Sequence, residues 1–278
     1  MRIVRYGEPG RELPGMLDAE GQIRALHPVV NDIGAQMLSP AAMTFLEALD
    51  PERLPLVPLV QRLGAPVSGI HQVIAIGLNY RDHAIEAGLP IPDEPVVFMK
   101  SVSSISGPYD DVMLPASSNR TDWEVELAIV IGSTARRVPV GEAADCIAGY
   151  CMANDVSERD WQMKRAGQWG KGKSFDTFTP VGPWLVTRSS MKDPQSLRLE
   201  LSVNGVRKQY GSTADMIFSI AEIVSYVSEF MTLTPGDLII TGTPAGVGMG
   251  MAPPESLKVG DLLEMSITGL GTQRHRVA

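Results

Sequence analysis

Cysteine is nearly missing from this chain: Cys146 and Cys151 are the only two in 278 residues. Two thiols make no disulfide framework and point to a reducing compartment. Long apolar runs are missing as well. None approaches the roughly 20 residues of a membrane-spanning helix. The opening stretch MRIVRYGEPGRELPG is polar where a secretory signal would be apolar. These absences predict a cytoplasmic protein with no membrane partner. A basic excess is also lacking. Lys and Arg total 24 against 32 Asp and Glu, a net charge of −8, which argues against nucleic acid as a partner. No internal repeat and no low-complexity tract stands out. The glycine-rich GVGMG at 246–250 lacks both the lysine of a phosphate loop and the G-x-G-x-x-G spacing, so it reads as a tight backbone wall.

Apolar residues make 44% and charged residues 20% of the chain, ordinary for a globular protein. The length suits one large domain or a small one plus a larger one. Residues 1–70 have their own texture, with short strand-like pieces, Pro/Gly turns and one helix in SPAAMTFLEAL. There Ser39 is the expected N-cap and Pro40 the first helical residue. From residue 71 to 278 short apolar runs alternate with Gly and Pro: VIAIGLNY, VVFMK, VELAIVIG, LRLELSVNG, DLIITGTP. This spacing predicts a mostly β, α+β fold. VNG at 203–205 reads as a hairpin turn. Ile217, Ile220, Ala221, Val224 and Val227 mark one face of a helix over 214–231.

The stretch TDWEVELAIVIG, residues 121–132, carries the first chemical signal. As a strand it puts Glu124 and Glu126 on one face with Ala128 and Val130. Two like charges entering a core each cost several kcal/mol to desolvate. They need protons, basic partners or a cation, unless the strand end is half-exposed and both are solvated. A second apolar stretch, IAGYCMAND, also ends in an acid, Asp155. Three carboxylates without cysteine suit Mg²⁺ or Mn²⁺, with Ca²⁺ also compatible, rather than zinc. In YRDHAIEAG, His83 and Glu86 meet if the segment is a helical turn. A carboxylate beside an imidazole makes it a better base, and Gly77 and Gly88 are candidate hinges of a lid. The plain alternative is a surface histidine beside a solvated glutamate. Arg159 and Gln162 follow Asp155 by four and seven residues, a spacing that would share a helical face with it.

GLNYRDHAIEAG, DWEVELAIVIG, NDVSERDWQ, GKSFDTFTPVGPW and TGTPAGVGMG occur in that order. Together they resemble the fumarylacetoacetate hydrolase family over about residues 71–275. Within that family the chain is most similar to bacterial hydrolases of 2,4-diketo-3-deoxy sugar acids (the L-fuconate and L-rhamnonate type). Those also begin with an RYG strand and carry QW-KGKS-DTF-P-GPWLV and GTP-GVGMG, though SERDWQ and KSFDTF here differ in detail. The resemblance implies a β-roll of mixed sheets over 71–278, a small N-terminal domain over 1–70, and a homodimer. It places a divalent metal on Glu124, Glu126 and Asp155, base and orienting acid on His83 and Glu86, and the oxyanion-stabilising lysine on Lys173 rather than Lys171. It also gives Arg159, Gln162 and Thr243 to the substrate. The expected activity is metal-dependent hydrolysis of a carbon–carbon bond in a small 2,4-diketo acid, yielding pyruvate and a second acid. Oxaloacetate decarboxylation, isomerisation or tautomerisation of a 2-oxo diacid, and non-catalytic binding are the alternatives.

Overall fold

A computed structural model of the chain describes residues 1–58, 61–116 and 118–278. Strand outweighs helix, 32% against 22%. The strands are β1 (Arg2–Tyr6), β2 (Leu13–Leu17), β3 (Ile23–Ala25), β4 (Val73–Gly77), β5 (Val96–Lys100), β6 (Ile105–Ser106), β7 (Thr121–Asp122) and β8 (Val125–Ile131). They continue with β9 (Ile147–Asn154), β10 (Ser157–Glu158), β11 (Thr179–Thr187), β12 (Arg198–Val203), β13 (Val206–Ser212), β14 (Leu238–Ile240), β15 (Leu262–Ile267) and β16 (Gly271–Arg276). The helices are α1 (Pro40–Glu47), α2 (Arg81–Glu86), α3 (Val140–Ala143), α4 (Arg159–Lys164), α5 (Gly170–Lys173) and α6 (Ile220–Phe230).

A large sheet runs in the order β3-β2-β1-β11-β9-β8-β14-β4-β5, with β6 beside β11. Most neighbours are antiparallel, but β14 with β4 and β11 with β6 are parallel, so the expectation of mixed sheets holds. β8 and β9 lie inside it and are buried along their whole length, because apolar side chains occupy both faces. Val125, Leu127, Ile129 and Ile131 enter one core with Leu199, Leu201, Leu263 and Met265 from the four-stranded sheet β13-β12-β15-β16 and with α6. Ala128 and Val130, one residue out of phase, enter a second core with Leu26, Leu38 and Leu46. Residues 1–58 therefore cover the opposite face of the sheet, and β1 joins it by pairing with β11.

Local sequence explains the boundaries. Ser39 caps α1 by accepting from the Ala42 amide, with Pro40 at the first position. Asn204 and Gly205, both at positive φ, turn β12 into β13, as the Asn-Gly hairpin chemistry requires. α6 starts later than the apolar periodicity predicts. Ser219 and Glu222 form a capping box, and 213–215 is a separate 3-10 turn.

Candidate metal and catalytic site

The three acids meet because of strand register. β8 and β9 are antiparallel, with Val125 opposite Asn154. The residues just beyond that pair, Glu124 and Asp155, are therefore neighbours, and the Asp155 amide donates to the Glu124 carbonyl at 2.9 Å. Glu126 sits one strand period further in. One carboxylate oxygen from each acid lies within 4.8 Å of the others, and all three side chains are buried. Asp155 does not share a helical face with Arg159, contrary to the spacing argument. It lies just past the end of β9, β10 intervenes, and α4 begins only at Arg159, capped by Glu158.

Cations balance part of this charge. Lys173, buried in α5, donates to Glu124 Oε2 and Asp155 Oδ2, each at 2.7 Å. Lys171 is turned outward onto the Arg165 carbonyl. Arg159 reaches Glu124 at 2.7 Å and Asp122 at 2.7 Å, and donates to Gln162 Oε1 at 3.0 Å. Against the burial that would raise it, Lys173 and Arg159 hold the Glu124 carboxyl down to about 2. Burial opposes the charge on Lys173, but Asp155 and Glu124 carry its pKa above the ordinary lysine value. Glu126 differs. It accepts a hydrogen bond from the Gly242 amide, at 2.7 Å. Burial first, then Asp155 and Glu124, push its carboxyl well above the carboxylate range. A buried acid that lacks a cation while its two neighbours have one is what a divalent ion would satisfy, and three oxygen donors suit Mg²⁺ or Mn²⁺.

His83 and Glu86 lie on α2, with His83 Nδ1 3.1 Å from Glu86 Oε2. Glu86 Oε1 accepts from the Gly246 amide at 2.9 Å, and a side chain at Gly250 would collide with Glu86. The GVGMG segment at 246–250 is thus a wall against Glu86, and the wider 242–250 loop clamps both Glu126 and Glu86 through main-chain amides. With Nδ1–H donating to Glu86, the His83 Nε2 lone pair is left for chemistry. His83 lines a cavity of about 40 Å³ together with Glu124, Glu126, Asp155, Lys173 and Thr243. Arg159 and Gln162 line it too. The Thr243 hydroxyl donates to the Val125 carbonyl and accepts from Gln209, which leaves one lone pair.

Two site residues escaped the sequence reading. Lys100, at the end of β5, pairs with Asp155 Oδ1 and donates to the Phe178 carbonyl at 2.8 Å. Burial lowers its pKa, against the pull of Asp155. A lone lysine closing VVFMK looks like a solvated strand end. Asp122 anchors Arg159 and accepts from the Gly248 and Met249 amides at 2.7 and 2.9 Å. Its signal was available: Asp122, Glu124 and Glu126 recur with the period of one strand face.

The family described as fumarylacetoacetate (FAA) hydrolase C-terminal matches residues 72–278. A Burkholderia multivorans protein, whose name says hydrolase and no substrate, is 55% identical over 274 residues, covering 98% of this chain and 97% of that one. Solved structures of similar proteins include fumarylacetoacetate hydrolase from Exiguobacterium antarcticum, at 37% identity and TM-score 0.88 over 100% of this chain and 99% of that one. Maleylpyruvate hydrolase from Sphingobium sp. SYK-6 is similar at 30% identity and TM-score 0.81, covering 100% and 99%. 2-Hydroxyhepta-2,4-diene-1,7-dioate isomerase from Mycobacterium marinum is similar at 35% identity and TM-score 0.75, covering 100% and 98%.

Proposed function

The chain belongs to the fumarylacetoacetate hydrolase family, whose members are divalent-metal-dependent enzymes on oxo acids, and from that premise we propose a carbon–carbon hydrolase. Its substrate is a 2,4-diketo acid of the acylpyruvate type, and its products are pyruvate and a second carboxylic acid. One observation carries this reading. His83, paired with Glu86, lines the same cavity as a carboxylate cluster that is one cation short.

Mg²⁺ or Mn²⁺ held by Glu124, Glu126 and Asp155 would supply the positive charge that binds and polarises the 2-oxo acid end. Glu86 fixes the His83 ring so that Nε2 takes a proton from water. That water adds to the C4 carbonyl. Lys173, kept protonated by its two carboxylates, has one further N–H for the oxyanion at C4. As the C4 carbonyl reforms, the C3–C4 bond breaks. Its electron pair stays on C3, which a proton then caps to give pyruvate. Arg159 braces the site through Asp122, Glu124 and Gln162. A sugar-acid substrate rests on the sequence resemblance alone, as does a homodimer, and a cytoplasmic location rests on the composition of the sequence. The first belongs in the substrate panel, and light scattering tests the second.

Proton transfer without water addition is the second reading, supported by the similarity to the M. marinum isomerase. Product analysis separates the two. With Mg²⁺, acetylpyruvate gives a new acid on hydrolysis, oxaloacetate gives carbon dioxide on decarboxylation, and an unsaturated 2-oxo diacid gives only an isomer. His83→Ala is expected to cost turnover at least about 100-fold while metal content stays. Glu126→Ala is expected to lose both. Full activity in His83→Ala would remove water activation from the account.

A further inference from the structure

The cavity that serves this reaction is small, about 40 Å³, space for roughly three waters. Around the acids, His83, Arg159, Gln162, Lys173 and Thr243, the remaining side chains of the lining are apolar. Leu78, Leu89, Phe98, Met163, Trp169 and Met249 all line the cavity. Leu89 and Met163 are 38% and 46% exposed, and Ile85 and Ile91, on the same segment as Leu89, are exposed as well. The segment after β4 thus presents apolar side chains that have little to cover until an apolar group arrives.

Charge and hydrogen bonding point the same way. A second carboxylate on the substrate would need a cation, yet the charge of both cations of the lining is already balanced by the site's own acids. That balance holds even though Arg159 Nη2 has no hydrogen-bond partner among the described residues and Lys173 keeps one N–H for the oxyanion. Arg159 is held by Asp122 and Glu124, and Lys173 by Glu124 and Asp155. A polyol would need several partners when buried. Gln162 has given its oxygen to Arg159, and the Thr243 hydroxyl its proton to Val125, so outside the reacting groups the Gln162 amide nitrogen and one Thr243 lone pair remain, fewer partners than a polyol needs. Trp169 dominates the apolar part. Its ring stands edge-on to Phe98 at 5.6 Å, and a side chain at Gly77 would come within 2.6 Å of it. The ring is seated where only glycine lets it sit.

Building on the acylpyruvate reading, we propose that the group leaving as the second acid is apolar, and that Trp169, seated on Gly77, is the residue that selects for it.

The test is steady-state kinetics of the purified protein with Mg²⁺ on acetylpyruvate, hexanoylpyruvate, an acylpyruvate ending in a carboxylate, and a 2,4-diketo-3-deoxy sugar acid. Hexanoylpyruvate is expected to exceed acetylpyruvate at least tenfold in kcat/KM, since one buried methylene is worth about fourfold. The carboxylate-ended and polyol substrates are expected to fall below acetylpyruvate. Trp169→Ala should lower kcat/KM for hexanoylpyruvate at least tenfold more than for acetylpyruvate. Trp169→Arg should reverse the order of the apolar and carboxylate-ended substrates. Cleavage of acetylpyruvate together with a preference for the polyol or the carboxylate would overturn this inference and leave the reaction class standing. A Trp169→Ala variant with an unaltered hexanoyl-to-acetyl ratio would remove Trp169 as selector. No cleavage of any acylpyruvate, with Mg²⁺ or Mn²⁺, would overturn the reaction class and this inference together.

Discussion

At the scale of single residues, Glu126 is the most informative group, because its charge state and the metal are linked. Its carboxyl is held well above the usual range by burial and by Asp155 and Glu124, which favours the protonated form. A cation requires the carboxylate. Mg²⁺ binding is therefore expected to release a proton and to tighten as pH rises. Calorimetry in two buffers of different ionisation heat measures the release directly; an identical heat in both would contradict it. Lys173 makes the complementary case. Lys173→Met leaves Glu124 and Asp155 without their shared ammonium, and stripping one partner from a buried pair costs about 3–5 kcal/mol. A lowered urea midpoint together with a loss of turnover is expected. The acids were legible as an E-x-E entering an apolar strand. Lys100 was not, because the pairing that brings β5 near Asp155 is written in no local pattern.

At the scale of elements, caps and turns were the most readable features. The Ser39–Pro40 start of α1 and the Asn204–Gly205 hairpin follow from residues within four positions of each other. The start of α6 shows what periodicity misses: Ile217 fits the apolar face, but Ser219 sets the boundary. Ser219→Ala should destabilise the fold by about 1 kcal/mol, read from thermal or urea unfolding, with turnover unaffected at saturating metal. α2 gives a sharper test of function. Gly250→Ala would push its new methyl into Glu86, so turnover should fall while Mg²⁺ affinity holds. Loss of metal binding in that variant would mean that the loop supports the acids more than the base pair.

At the scale of the whole molecule, the class of fold was legible and its pairing was not. β1 lies beside β11, with Arg2 opposite Val186, and no sequence pattern announces so distant a partner. The same holds where β16 meets the 107–111 turn. His275 is buried there, with Nδ1 2.7 Å from the Asp110 carbonyl and Nε2 3.0 Å from Gln273 Oε1. The Gln273 amide nitrogen is fixed by the Met152 and Gly182 carbonyls, so protonation at Nε2 would gain a hydrogen bond. Burial opposes it more strongly and holds the imidazole down to about 4, despite Asp110. An unfolded histidine takes its proton near 6.5, so stability is full above that pH and is lost as pH falls toward 4. The loss at pH 5 should be about 2 kcal/mol. Urea unfolding of wild type and His275→Gln at pH 7 and pH 5 isolates it: the wild type should lose more.

The 242–250 loop grips Glu126 and Glu86 with amides rather than side chains. Replacing ionisable residues one at a time passes over that grip, since every such variant keeps the peptide groups. Its information resides in the spacing of the loop. Shortening it by a single residue would unhook ligand and dyad in one stroke, with every acid, base and lysine of the site still encoded.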